Sequence, residues 1–207
     1  MAKQKYKGKT LYTKTCVDNV VQLAMESNPD DRNWYQDAYN FALELSYQYN
    51  VGVQRVVGII AALSPMKSWH ENKRLAEEYL KGNRYGTYGT LLGKADEIMY
   101  LEHDNVSDEN ILDILNGQKI SAFYLNINHY EKSTTVTVDR HAVEIAMDTI
   151  LSDHAMTSKQ YAFFQNVYII ASDKLGYLPH ELQAVTWVSW RNLKHPNQVT
   201  PDTALPF

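Results

Sequence analysis

Apolar positions recur every three or four residues along most of the chain, the spacing of helices with one buried face. Residues 15–27 place Val17, Val20, Val21 and Ala24 on one such face. Asn28-Pro29-Asp30 breaks the pattern, and residues 31–49 resume it with Trp34, Ala38, Phe41, Ala42 and Leu45 inward. Val53 to Leu63 is apolar on nearly every side, which predicts a buried central helix. Pro65 ends it, and Ser68 caps a polar helix that runs to about Lys81. Gly82 to Gly93 reads as a loop or hinge and Lys94 to Leu101 as a short helix. Asp108–Leu115 and Lys119–Tyr130 are two helices joined by a tight turn at Asn116-Gly117-Gln118. A β-branched run, Thr134 to Val138, leads into the helix Asp139–Leu151, and Ser158–Leu175 and His180–Leu193 complete the series. Residues 196–207, with Pro196, Pro201 and Pro206, read as an extended tail. The expectation is an all-α fold with very little strand, in which residues 15–195 form a single domain.

Two residues stand at helix starts in this pattern. Lys119 follows the Asn116-Gly117-Gln118 turn, where Gly117 has the freedom to take a positive φ. A turn that opens a helix presents backbone N–H groups, which suit phosphate oxygens. A lysine desolvated there loses its proton more easily, and the neutral amine is a nucleophile that forms Schiff bases. Asp139 opens the helix after the β-branched run. A carboxylate held at a helix N-terminus can stabilise positive charge on a sugar ring. Each residue also has a plain structural use, Lys119 as a solvated side chain and Asp139 as an N-cap.

The last helix carries a second pattern. Gln183, Trp187 and Trp190-Arg191 fall along one side at helical spacing. A carboxamide, two indoles and a guanidinium can stack on and read a base, and Met66 and Trp69 can border the same pocket. The tryptophans serve equally to dock the helix on the core. Leu182, Val185 and Ser189 form a further stripe, and burying both stripes would nearly surround the helix.

The stretch Leu115-Asn116-Gly117-Gln118-Lys119 followed by Val138-Asp139-Arg140-His141 resembles the helix-hairpin-helix DNA glycosylase superfamily, which includes endonuclease III and 8-oxoguanine glycosylases. There a hairpin of the type L-P-G-V-G-x-K precedes V-D-x-H at the start of a later helix. Upstream, Ala62-Leu63-Ser64-Pro65-Met66 and Asn72-Lys73 are similar to the family's L-S-x-Q…N-K segment, so the resemblance spans roughly residues 53–150. The hairpin lacks the family's proline and first glycine, Met66 stands where relatives often carry glutamine, and there is no four-cysteine iron–sulfur cluster. The resemblance implies a two-lobed helical fold with a cleft between lobes and a base flipped into it. Lys119 would attack C1′, Asp139 would stabilise the oxocarbenium ion, and a Schiff base would permit strand cleavage. The turn Asn116-Gly117-Gln118, with Lys67, would hold the DNA backbone, and neither metal nor cofactor is required. The pattern P-x-E-x-Q-A-x-x-W-x-x-W-R near the C-terminus is similar to segments of phage-type proteins.

Composition narrows the partner more than the fold. The net charge of −4 disfavours a strong nonspecific duplex binder, because such affinity rests on neutralising phosphates. Yet residues 1–14 hold five lysines and no acid, which reads as a flexible basic arm, either solvated or reaching a phosphate backbone. One cysteine, Cys16, excludes an intrachain disulfide and a cysteine-based metal site. His70, His129, His141 and His154 lack metal-ligand spacing, and no P-loop, G-x-G-x-x-G or G-x-S-x-G motif supports an NTPase, Rossmann or α/β-hydrolase reading. No apolar run reaches membrane-span length, and the start of the chain has no signal-type apolar stretch, so a cytoplasmic monomer is expected. The leading expectation is a DNA glycosylase, with or without lyase activity, on a modified or damaged base. The alternatives are a transferase or hydrolase on a hypermodified base or free nucleoside, and a non-catalytic nucleotide-binding protein.

Overall fold

A computed structural model describes residues 3–153 and 155–194. The extended tail expected at 196–207 and His154 lie outside the described residues. In chain order the elements are β1 (Lys3–Tyr6), β2 (Lys9–Tyr12), α1 (Thr13–Met25), α2 (Trp34–Tyr49), α3 (Val53–Leu63), α4 (Trp69–Leu80), α5 (Gly89–Met99), α6 (Asp108–Leu115), α7 (Gln118–Asn128), α8 (Arg140–Met147), α9 (Ser158–Leu175) and α10 (Pro179–Lys194). The protein is therefore mostly helical. Two compact units divide it: residues 3–35 with 131–194, and residues 36–130.

In the second unit α3 is the core. Val56 through Leu63 are all buried, as the all-apolar run requires, and α4, α5, α6 and α7 pack around it. Gly58 sets how closely they approach. A Cβ built there would lie 3.0 Å from Ile98 Cγ2 of α5 and 3.3 Å from Ile111 Cγ2 of α6. Ser68 caps α4 by accepting from the Glu71 N–H at 3.2 Å, and Ser107 caps α6 from the Asn110 N–H at 3.2 Å. The helix expected at Lys94–Leu101 begins earlier, at Gly89, because the Gly-rich composition masked Leu91, Leu92, Ala95 and Ile98 at helical spacing.

In the first unit α1, α8, α9 and α10 pack together. Thr157 and Gln160 close a reciprocal capping box at the start of α9. The helix expected at Asp139–Leu151 stops at Met147, since Asp148 takes a left-handed conformation with φ 45°. α10 is buried on nearly every side, including both stripes that the sequence sets apart, except for half-buried Ser189. It is the central helix of this unit, a role its polar residues conceal in the sequence.

Residues 3–12 are not a free arm. β1 and β2 form an antiparallel hairpin, with Tyr6 opposite Lys9 and the turn residues Lys7 and Gly8 both at positive φ. Tyr6 is buried and meets Phe164 of α9 edge-on at 5.5 Å, and Leu11 is buried beside it. Lys7 Nζ donates to the Asp153 carbonyl at 2.8 Å, and Gln160 Nε2 to the Lys5 carbonyl at 2.8 Å. Gly8, in the turn between Tyr6 and Lys9, is the sequence signal for this hairpin, and the count of lysines obscures it. Among the described residues no helix is long and apolar enough to cross a membrane.

Candidate functional site

Asp139 is reached through an extended segment that forms no ladder. Tyr161 of α9 holds that segment instead: its hydroxyl donates to the Val136 carbonyl at 2.9 Å and accepts from the Val138 N–H at 3.2 Å. His180 Nδ1 lies 3.0 Å from the Ser133 carbonyl. The Tyr35 hydroxyl donates to Gln183 Oε1 at 2.7 Å and sits 3.2 Å from Thr137 Oγ1. With the run pinned at these points, Asp139 becomes the N-cap of α8. Its Oδ1 accepts from the Ala142 N–H at 2.8 Å, and its Oδ2 from Trp187 Nε1 at 3.1 Å. Asp139 is only 5% exposed, and two N–H donors fix the orientation of its carboxyl group.

Behind it lies a buried polar seam between α8 and α10. Glu144 is fully buried; its Oε2 accepts from Trp190 Nε1 at 3.0 Å and lies 2.9 Å from His141 Nδ1. Its Oε1 accepts from the Leu151 N–H at 3.0 Å, and Arg140 Nε stands 3.6 Å away. Burial pushes the Glu144 carboxyl up, but the hydrogen bonds from His141, Leu151 and Trp190 outweigh it and hold the group at about 2. His141 meets Trp187 edge-on at 5.7 Å, and the Arg191 guanidinium covers that indole at 4.9 Å. Burial lowers the Arg191 pKa, and the Asp139 charge opposes that shift.

The stripe read as a base-stacking surface is thus interior. Gln183, Trp187, Trp190 and Arg191 are all buried, and both indole N–H groups are spent on carboxylates of α8 and its cap. A buried indole needs an acceptor, and Asp139 and Glu144 supply them. Sequence reading passed over Glu144, Tyr35 and Tyr161. The signal for Glu144 was its place three residues after His141, on the same side of the helix. A surface groove of about 170 Å³ between α1, α8 and α10, lined by Asn19, Leu23, Glu26 and Asp148 among others, shares only Trp190 with this seam.

The helix–turn–helix belongs to the second unit. Asn116, rather than Gly117, takes the left-handed conformation (φ 43°, ψ 61°), while Gly117 is extended at φ −178°. Asparagine tolerates that region better than most residues. Asn116, Gly117 and Gln118 are exposed at the turn, and Lys119 is half-buried in the first turn of α7. Lys94 Nζ donates to the Leu115 carbonyl and ties α5 to the end of α6. Asp108, at the start of α6, accepts from Tyr124 Oη at 2.7 Å, Gln54 Nε2 at 2.9 Å and Asn128 Nδ2 at 3.1 Å, with His129 Nε2 at 2.6 Å. Burial raises the Asp108 pKa, yet the Tyr124 and His129 contacts bring it below the usual carboxylate range. Met66 is exposed with φ 65°, Lys67 Nζ donates to the Gly86 carbonyl at 2.8 Å, and Trp69 is buried against Phe41 at 5.9 Å. Met66, Trp69, Lys67 and Lys119 thus fall in one unit, and Asp139 with the α10 stripe falls in the other. Among the described residues no group of three or more His, Cys, Asp or Glu side chains is placed to hold a metal ion.

The chain belongs to DUF7178, a family of unknown function whose model matches residues 2–194. No curated protein and no solved structure matches the chain at a significant level.

Proposed function

We propose that the protein cleaves an N-glycosidic bond at a modified or damaged base, as a divergent enzyme of the helix-hairpin-helix glycosylase type. The observation that carries this reading is Asp139: a nearly buried carboxyl at a helix N-terminus, fixed by one backbone and one indole N–H, with Glu144 and Arg191 buried behind it. A carboxylate so oriented stabilises positive charge developing on a sugar ring without reorganising. The helix–turn–helix Asp108–Asn128 with Lys119 in the first turn of α7 supports the same reading. In this chemistry the neutral Lys119 amine attacks C1′ as the C1′–N bond breaks. The base leaves with the electron pair and takes up a proton. The amine then loses a proton, its lone pair forms the C1′=N bond of the Schiff base as the C1′–O4′ bond breaks, and O4′ leaves with that electron pair and takes up a proton. Borohydride trapping on an abasic oligonucleotide tests it. Wild type should give a covalent adduct and Lys119→Ala none, and on an oligonucleotide that still carries the modified base Asp139→Asn should slow base release by at least 100-fold, on the order expected for one electrostatic contact. An adduct that persists in Lys119→Ala sinks the lysine mechanism.

A second reading, a transferase or hydrolase acting on a free nucleoside or hypermodified base, is favoured by one observation. The lysines at 3, 5, 7 and 9 are built into the β1–β2 hairpin, and Lys7 is tied to Asp153. This leaves less basic chain to follow a phosphate backbone in a protein of net charge −4. Nucleoside turnover in the absence of DNA, together with no oligonucleotide binding at low salt, would promote it over the first.

A further inference from the structure

One side chain in the second unit is buried with its polar atoms unpaired among the described residues. Asn72, on α4, is fully buried, and neither its Nδ2 nor its Oδ1 has a hydrogen-bond partner among the described residues. A carboxamide carries two donor hydrogens and an acceptor with two lone pairs. Leaving all of them dry is unfavourable, whereas a leucine of similar size at the same place would cost nothing of the kind. Buried polar atoms are nearly always paired, so a fully orphaned amide points to a partner that arrives from outside.

Its surroundings narrow what that partner is. Trp69 stands one turn earlier on the same side of α4, and Phe41 packs edge-on to it at 5.9 Å. The Lys73 ammonium lies 5.9 Å from the centre of each ring. The amide thus shares a helix face with Trp69, whose ring packs with Phe41 and has a cation near it. Flat, electron-rich rings with a donor and an acceptor side by side on one edge fit such a place, and nucleobases are the common case.

We propose that Asn72 pairs with the edge of a nucleobase, donating from Nδ2 to a ring acceptor and accepting at Oδ1 from the adjacent N–H, with the Trp69 indole as the apolar wall. The proposal rests on the reading that the substrate contains a nucleoside unit, and it names the residue that recognises the base. The amide is covered in this structure, so the site opens before the base enters, and association is slower than a preformed pocket would allow.

The probes are the four deoxynucleosides, titrated into the full chain and followed by tryptophan fluorescence and calorimetry. At least one should bind, and its derivative methylated on the ring edge should bind at least tenfold more weakly. Asn72→Leu should raise the Tm of the unliganded protein by a few degrees and weaken nucleoside binding at least tenfold. Four results overturn the proposal: no nucleoside bound, equal binding of the edge-methylated form, unchanged binding by Asn72→Leu, or a lower Tm in that variant, which would mean that internal water already satisfies the amide. The comparison of methylated and unmethylated probes needs only the native chain, so it decides the matter even where the variant fails to fold. Asn72-dependent binding without any trapping on abasic DNA would sink the lysine mechanism and leave this proposal standing. Trapping without such binding would do the reverse.

Discussion

Glu144 shows how a single residue can govern the acid behaviour of its unit. Its carboxyl is held at about 2, against 4.5 for an ordinary glutamate, by donors that exist only in the folded chain. A depressed pKa contributes stability that is complete above the unfolded value and is lost as pH falls through the folded one. Thermal melts between pH 6 and pH 2 should therefore show stability falling below about pH 4.5. Asp108, also lowered, acts in the same direction. Glu144→Gln should lower stability at pH 7 by about 1–3 kcal/mol, because an amide nitrogen would face the donors His141, Trp190 or Leu151. It should also make the acid slope shallower without abolishing it. A slope as steep as that of wild type would mean that other carboxyls carry the effect. The same seam explains why Trp187 and Trp190 were hard to assign from sequence. An indole in a helical stripe looks alike whether it faces a ligand or an acid on the next helix, and only the positions of Asp139 and Glu144 distinguish the two.

At the scale of elements, the boundaries that the sequence marks chemically are the ones it predicts well. Val53–Leu63, Asp108–Leu115 and Ser158–Leu175 begin and end where the apolar run, the cap residues or both say they should. The turn between α6 and α7 is also where the sequence puts it, but Asn116 rather than Gly117 supplies the left-handed residue. What sequence does not reveal is how tightly the elements meet. Gly58 is one of several small residues in α3, and a Cβ at this position would crowd Ile98 and Ile111. Gly58→Val should cost about 1–3 kcal/mol by overpacking, and Ile98→Val in the same chain should recover part of it. Chemical denaturation of the two single variants and the double variant measures this. Strict additivity would show that the contact with Ile98 is not the limiting one.

At the scale of the whole molecule, the N-terminal hairpin changes what a truncation experiment means. An arm acting through charge would alter only the salt dependence of binding. The hairpin also covers Phe164 with Tyr6, and truncating a buried aromatic side chain costs about 3–5 kcal/mol. Deleting residues 1–12, or making Tyr6→Ala alone, should therefore lower the Tm by several degrees in the absence of any ligand. An unchanged melt would return the segment to the role of a free arm. Any loss of nucleic-acid binding after such a deletion has to be compared with Tyr6→Ala, which keeps every lysine.

The sequence by itself determined the helical class, most helix boundaries, the helix–turn–helix around Asn116 and the placing of Asp139 at a helix start. These follow from local rules: apolar spacing, caps and turn residues act within a few positions of one another. Tertiary structure decided the rest. It seated Tyr6 on Phe164, made α10 a central helix, and turned the Gln183–Arg191 stripe into an interior hydrogen-bonded seam. It also left Asn72 buried without a hydrogen-bond partner among the described residues. Each of these depends on what another part of the chain places opposite a residue. A polar atom's partner, or its lack of one, is a property of three-dimensional neighbours that periodicity along one helix cannot encode.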